Sequence, residues 1–453
     1  DFVDKTNEKI LIGSKNNHEY IDQYAILNKS DNSLNELIGP VNSYDATKKF
    51  ILKSNDIKQN KESYEFDFRD YYDEYLSDFI FTIDDETTTD YDDAFSYDPI
   101  SNSLYIFITD LTSINIRNID NLLNIGYSFY DSEFTYHLFN ESIKNSFSLI
   151  SGEKRNAFCL KINFSTKNIE FKKMSIIVTE NLTYDKVDKL LIDDEKWKSF
   201  KSSFDHFFGP TNNSHEIVEK MMIYYNSMFH LNILDKEYPV RAHPGFKLSK
   251  DNVELLNSVD QNLAKKICYH SAEYCLNTNS NTYHYGLSIN KYMHVTSPLR
   301  RVIDFITQKI TFNNETFDLN EICKKCNERL IQNKKAYNEI KLLNLLFELK
   351  ESEDREFDAI IINFNQTKVN IYIPDLDIIH NISLISKKLE NLLKVEISDK
   401  LINIYHVRDN KNLISFSKFQ LIKVKAMIKT SELYLHKKIK FYVVDHNINQ
   451  VFN

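Results

Sequence analysis

The sequence predicts an α+β protein: a mixed sheet with surrounding helices, followed by a C-terminal β-barrel of the OB type. Three textures along the chain predict it. Apolar and polar residues alternate across 79–115 and 158–180, helical spacing dominates from 184 to about 350, and short alternating strands return after Glu351. Five or six such strands within about 95 residues, separated by Asn, Asp and Ser turns, give the density of a small barrel.

Residues 1–78 are polar and rich in Asn and Lys, too small a piece for a large core; they read as a strand or two leading to a linker helix. That helix is "NSYDATKKFILKSNDI", where Ala46, Phe50 and Ile51 recur at roughly helical spacing. From 79 to 352 lies the mixed-sheet body. "DFIFTID" and "NSLYIFITDLT" are strands flanking an acidic loop, and "FCLKINFSTKNIEFKKMSIIVTE" is a strand pair turning at "STKN". Helices follow in "HEIVEKMMIYYNSMFHLNIL", "RRVIDFITQKI" and "CNERLIQNKKAYNEIKLLNLLFELKE". Residues 353–453 form the barrel. No internal repeat or low-complexity tract interrupts this order.

A chain of 453 residues suits two or three domains. It is 42% hydrophobic and 27% charged, an ordinary globular composition. The net charge of −9 does not favour a nucleic-acid partner in bulk, so any phosphate-binding surface must be local. The five cysteines form no disulfide framework and point to a reducing compartment. Cys323 and Cys326 have no further ligands nearby for zinc and read as two free thiols on a helix surface. No apolar run approaches the roughly 20 residues that cross a bilayer, so no membrane partner is expected. The chain begins at Asp1, which leaves room for a trimmed product.

The stretch "FTIDDETTTDYDDAFSYD" carries the chemistry. Asp84, Asp90, Asp92 and Asp93 fall within ten positions, with no lysine or arginine among them to relieve repulsion. Blocks of like charge are usually solvated loops. Here the block is framed by strand-like residues instead, with Ala94 and Phe95 directly after it. A calcium loop of the EF-hand type fails, because Phe95 stands where the turn needs glycine. What fits is a hard divalent cation. Four carboxylates could hold two Mg²⁺ ions about 3.5–4 Å apart, the arrangement that serves in-line phosphoryl displacement.

A second stretch, "HYGLSINKYMHVTSPLRRVIDF", completes the set. Thr296-Ser297-Pro298 is a loop signal, and Arg300-Arg301 opens a helical run. Hydroxyls and backbone N–H groups at a helix start bind phosphate, and an arginine fork stabilises a phosphorane-like transition state.

Together the two stretches resemble the ribonuclease II (RNB) family of 3′→5′ exoribonucleases, of the RNase II and RNase R type. Thr82-Ile83-Asp84 leads to Asp90, Asp92 and Asp93 with that family's spacing, and His284, Tyr285, Gly286, Leu287, Tyr292, His294, Thr296 to Arg301, and Asp304 follow its second motif. "FSLISGEKRNAFCLKIN", "LTYDKVDKLL" and "HEIVEKMMIYYN" match lesser segments between them. The resemblance implies that 79–352 is the RNB catalytic domain, that the C-terminal OB-fold binds RNA, and that 1–78 holds at most a remnant of a cold-shock OB-fold.

It also implies roles. Asp84, Asp90, Asp92 and Asp93 would be Mg²⁺ ligands, with Mn²⁺ as a substitute. Asp92 would position the attacking water, and Arg300 would stabilise charge on the scissile phosphate. Tyr130, Tyr184, His294, Thr296, Ser297 and Arg301 would contact the RNA. The expected reaction is processive hydrolysis of single-stranded RNA to nucleoside 5′-monophosphates, and the alternative is an inactive RNB-fold RNA-binding or complex-assembly subunit. A helicase or RNA-decay complex is the candidate partner. Cytoplasm is the default compartment, with mitochondrial and viral settings left open. Departures lie at Phe107, where the family has histidine, and at Tyr337, where it has a carboxylate with Glu339 two residues on.

Overall fold

A computed structural model describes residues 2–3, 9–10, 22–27, 33–67, 72–73, 79–131, 133–233, 236–243, 245, 254, 256, 258–260, 263–264, 267, 270–351, 355–366, 368–383, 393–398, 400–408, 410–428 and 438–444. The chain packs as two units. One comprises Asp56–Phe246 with His270–Ile331; the other comprises Asp1–Asn55, Lys247–Tyr269 and Gln332–Asn453.

In the first unit a six-stranded sheet is built from β1 (Phe81–Asp84), β2 (Asp93–Asp98), β3 (Ser103–Thr109), β4 (Lys154–Asn163), β5 (Ile169–Ile177) and β6 (Glu180–Thr183). Their order is β5-β4-β3-β2-β1-β6. All neighbours are antiparallel except β6 and β1, which run parallel. The helices are α1 (Ile119–Ile125), α2 (Glu141–Phe147), α3 (Tyr184–Asp193), α4 (Glu195–Phe208), α5 (Ser214–Met228) and α6 (Val302–Asn313).

Strand alternation sorts the side chains to two faces. Phe81, Ile83, Phe95, Ile106 and Leu160 pack beneath Trp197, Phe204, Ile217 and Met221 of α4 and α5. Ala94, Tyr105, Phe107 and Cys159 line the opposite face. Phe107, where the family pattern has histidine, is therefore a fully buried core residue.

A third cluster gathers Leu122, Leu138, Phe305, Ile306, Cys323 and Cys326. Here the sequence expectation is corrected: Cys323 and Cys326 are free thiols, but they lie on the buried side of the long helix Leu319–Glu351. Spaced three residues apart on one helical face with Ile322, they pack into the core instead of facing water.

The second unit holds an antiparallel hairpin, Gln23–Leu27 with Leu34–Pro40, and the expected helix at Tyr44–Ser54, capped by Ser43. It also contains a five-stranded antiparallel sheet from residues 355–383, 421–428 and 439–443, and a three-stranded meander from residues 393–417. Phe357, Ile371, Ile404, Phe416 and Val424 fill one core between them, an OB-like arrangement. Tyr44 donates to Asn344 at 2.8 Å and Asn55 to Glu339 at 3.0 Å, tying the helix Tyr44–Ser54 and its C-cap to the long helix. No helix among the described residues is long and apolar enough to cross a membrane.

One glycine fixes the approach to the site. Gly126 ends α1 with φ 74° and ψ −48°, and Tyr127 N–H donates back to Ile125 at 2.9 Å. That is a γ-turn of the kind L-residues adopt only under strain. A Cβ there would also lie 2.9 Å from Arg329 Cβ and Cγ. Gly126→Ala is expected to lower stability by about 1–3 kcal/mol, read as a lower urea midpoint; an unchanged midpoint would contradict the turn's role.

Candidate active site

The acidic residues sit where β1 leaves the sheet and β2 enters it. Asp84 is the last residue of β1, opposite Thr183 of β6, and Asp93 is the first of β2, opposite Ile108 of β3. The loop between them is tied down on its main chain. Tyr91 N–H donates to Ser148 Oγ at 2.8 Å, Leu149 N–H to the Tyr91 carbonyl at 3.0 Å, and Thr109 N–H to the Asp92 carbonyl at 2.9 Å. This explains how residues that repel one another keep a fixed geometry: backbone pairing on both sides, not side-chain attraction, holds the loop.

The second motif comes to the same place. Arg300 and Arg301 donate through their N–H groups to the Ser297 carbonyl, forming the turn that starts α6. Leu299 N–H then donates to Asp92 Oδ1 at 2.7 Å, across 207 positions of sequence. Arg300 Nε lies 3.4 Å from Asp92 Oδ2. The two arginines differ sharply: the Arg300 side chain is 46% exposed, that of Arg301 only 17%. Arg300 therefore projects from the loop while Arg301 turns inward.

Residues after the Gly126 turn bridge to this loop. Ser128 N–H donates to the Arg300 carbonyl at 2.9 Å and Val302 N–H to the Gly126 carbonyl at 3.0 Å, with Tyr127 opposite Arg301. Tyr130 is delivered to the cluster as a result, and its hydroxyl donates to Asp90 Oδ2 at 2.6 Å. His137 Nδ1 lies 3.6 Å from the same oxygen. Tyr184 opens α3 directly after β6, and its ring stacks on His215 with centroids 3.7 Å apart and planes 12° apart. Burial, then the charges of Asp93 and Asp84, raises its phenol.

Under these motifs lies a buried polar layer. Arg301 donates through Nε at 3.0 Å and Nη2 at 2.7 Å to Asp304 Oδ2, which also accepts Ser297 N–H at 2.9 Å. Thr296 Oγ1 accepts from Arg301 and from Asn226, both at 3.3 Å. Asn226 Oδ1 in turn accepts Val295 N–H at 2.9 Å. His294 Nδ1 is 2.7 Å from the Tyr274 hydroxyl, and burial with Arg301 and Arg241 holds that imidazole well below its ordinary range. The polar contacts seen for His294, Thr296, Ser297 and Arg301 are thus made within the protein. Asn226, Tyr274 and His137 are supporting residues to which sequence reasoning gave no role; only Asn226, at the end of the quoted "YYN", stood within a matched segment.

Burial raises the carboxyl of Asp84 first, followed by the charge of Asp93. Burial raises Asp93 too, opposed by Arg300 and Arg301. Asp92 lies well above the usual carboxylate range because it is buried, with Arg300 the main opposing charge. Its Oδ2 is buried and accepts no hydrogen bond among the described residues. Among the described residues, no three His, Cys, Asp or Glu side chains are gathered as a metal-holding group. The chemistry of the donors nevertheless fits a hard cation: the groups are carboxylate oxygens, mutually repulsive, and one of them is buried without a donor.

The RNB domain family model matches residues 68–206 and 204–313, and the chain belongs to that family. No curated protein matches it. Among solved structures it is similar to RNase R of Mycoplasma genitalium in complex with ribose-methylated single-stranded RNA, at TM-score 0.70 and 17% identity, covering 93% of this chain and 82% of that one. It is also similar to yeast Ssd1, a pseudonuclease, at TM-score 0.67 and 11% identity, covering 91% and 74%. An active-site mutant of the exoribonuclease Dss1 from Candida glabrata aligns at TM-score 0.59 and 17% identity over 83% and 56%. The fold is thus that of an RNB-family nuclease.

A raised carboxyl pKa has a defined sign. Below about pH 4, where unfolded carboxylates are also protonated, Asp93 costs the fold nothing; as pH rises toward its raised folded value, the penalty grows. With a chelator present, Asp93→Asn should therefore stabilise the chain at pH 8 and leave it nearly unchanged at pH 4, by urea unfolding. Equal effects at both pH values would contradict the shift.

Proposed function

We propose that the chain is a 3′→5′ exoribonuclease that hydrolyses single-stranded RNA processively to nucleoside 5′-monophosphates. The observation that carries this reading is the sharing of Asp92 between Leu299 N–H and the Arg300 guanidinium, which joins the acidic loop to the second motif. The likeness to RNase R, solved with single-stranded and with double-stranded RNA, supports RNA as the substrate class.

Asp84, Asp90, Asp92 and Asp93 would hold Mg²⁺, or Mn²⁺ in its place. When bound, such ions supply positive charge to the phosphate oxygens and ease deprotonation of water. The protein's own groups do the rest. Leu299 N–H fixes one oxygen of Asp92, leaving Oδ2 to accept a hydrogen bond from the attacking water. Arg300, half exposed, brings donors to the oxygens on which charge develops. The rings of Tyr130 and Tyr184 offer faces to bases, a contact every base can make, which suits processive decay. His294, Thr296, Ser297 and Arg301 shape the loop from which Arg300 projects.

The likeness to Ssd1, a pseudonuclease, favours a second reading: an RNB-fold subunit that binds RNA without cleaving it. One assay separates the two. With 5′-labelled single-stranded RNA and Mg²⁺, the exonuclease shortens full-length substrate to a short end product, and a chelator stops it. Binding without turnover would support the second reading, and internal cuts would contradict both. Asp92→Asn is expected to lower turnover about 10²–10³-fold while RNA binding survives. Arg300→Lys should recover little, because a point charge cannot form the planar fork.

A further inference from the structure

Tyr130 does two things at once in this structure. The residue as a whole remains 37% exposed, so it is still accessible to a ligand. Its hydroxyl, meanwhile, donates to Asp90 Oδ2 at 2.6 Å, while Asp90 itself is buried. A phenol is neutral at ordinary pH and can donate this bond without any change of charge. The bond joins two segments 40 positions apart. It is not an accident of a loose loop, because Tyr130 follows the stretch clamped to Arg300 and Val302 by main-chain hydrogen bonds, and Phe129–Tyr130 also pairs antiparallel with Thr135–Tyr136.

A carboxylate that is to take a cation needs its rotamer fixed before the cation arrives, and a hydrogen bond to one of its oxygens is the usual means. Asp90 has the Tyr130 hydroxyl for this, with His137 Nδ1 3.6 Å from the same oxygen. We infer that Tyr130 is a positioning residue for a divalent cation, its hydroxyl orienting the Asp90 carboxylate, while its ring separately serves the RNA base. The inference rests on the proposed metal-dependent reading of this site and assigns the two functions of one side chain to different atoms.

Tyr130→Phe removes the hydroxyl and keeps the ring; Tyr130→Ala removes both. The full-length chain is titrated with Mn²⁺, the free ion being followed by its electron paramagnetic resonance signal. Binding of a fluorescent single-stranded RNA is measured separately in chelator. Tyr130→Phe is expected to weaken Mn²⁺ binding about 10–100-fold, the usual effect of losing a group that orients a metal ligand, with RNA affinity in chelator unchanged. Tyr130→Ala is expected to weaken both.

Parent-like Mn²⁺ affinity in Tyr130→Phe would overturn the inference while leaving the proposed function standing. Loss of RNA affinity in the same variant would overturn the division between hydroxyl and ring. Absence of Mn²⁺ binding in the parent chain would overturn the metal-dependent reading itself, and this inference with it.

Discussion

The buried Asp92 carboxylate is the point on which the rest of the site depends. It cannot stay ionised inside the protein without compensation, and its compensation comes from one loop: the Leu299 amide on Oδ1 and the Arg300 guanidinium near Oδ2. Because the Leu299 amide and the Arg300 guanidinium both belong to the turn closed on the Ser297 carbonyl, anything that displaces that turn removes the hydrogen bond and the nearby charge at once. The Arg301–Asp304 pair beneath it, with Asn226 and Thr296, keeps the turn in shape. The site is therefore layered: an exposed arginine that can meet a ligand, a shared carboxylate, and a largely buried Arg301–Asp304 ion pair.

The same loop shows a conflict between stability and chemistry. Asp84, Asp92 and Asp93 all have carboxyls raised by burial, so ionising them costs the fold stability. Arg300 relieves some of it but is offset from ideal geometry at 3.4 Å. Against that cost, the main chain of residues 91–92 is paired on both sides, and the sheet is closed by Phe81, Ile83 and Phe95 against α4 and α5. An apolar core fixes the frame; the charges are arranged on its rim.

Much of this was legible in the sequence. The strand, acidic loop and strand around residues 81–98 follow from alternation on either side of the aspartates, and the pairing of that loop with "TSPLRR" follows from the family resemblance. Other parts were not. Spacing alone leaves Cys323 and Cys326 on a helix surface, because it does not say which face of a helix is covered; packing in one cluster with Phe305 and Leu122 decides it. The partnership of Arg301 with Asp304, at a helical spacing of three, resembles any surface pair until burial is known. His137 carries no local pattern at all, since only the antiparallel pairing of Phe129–Tyr130 with Thr135–Tyr136 brings it toward Asp90. The joining of Tyr44 and Asn55 to Asn344 and Glu339 of the long helix was also hidden, because texture along a chain does not report which distant pieces meet.

The central claim is that Asp92 and Arg300 act as one unit. A double-mutant cycle on RNA turnover tests it most directly, using Asp92→Asn, Arg300→Ala and the two combined in the full chain. If the unit exists, the double variant is about as impaired as the worse single variant, because groups acting together are non-additive. If the two penalties simply multiply, the carboxylate and the guanidinium work independently and the account of this site is wrong.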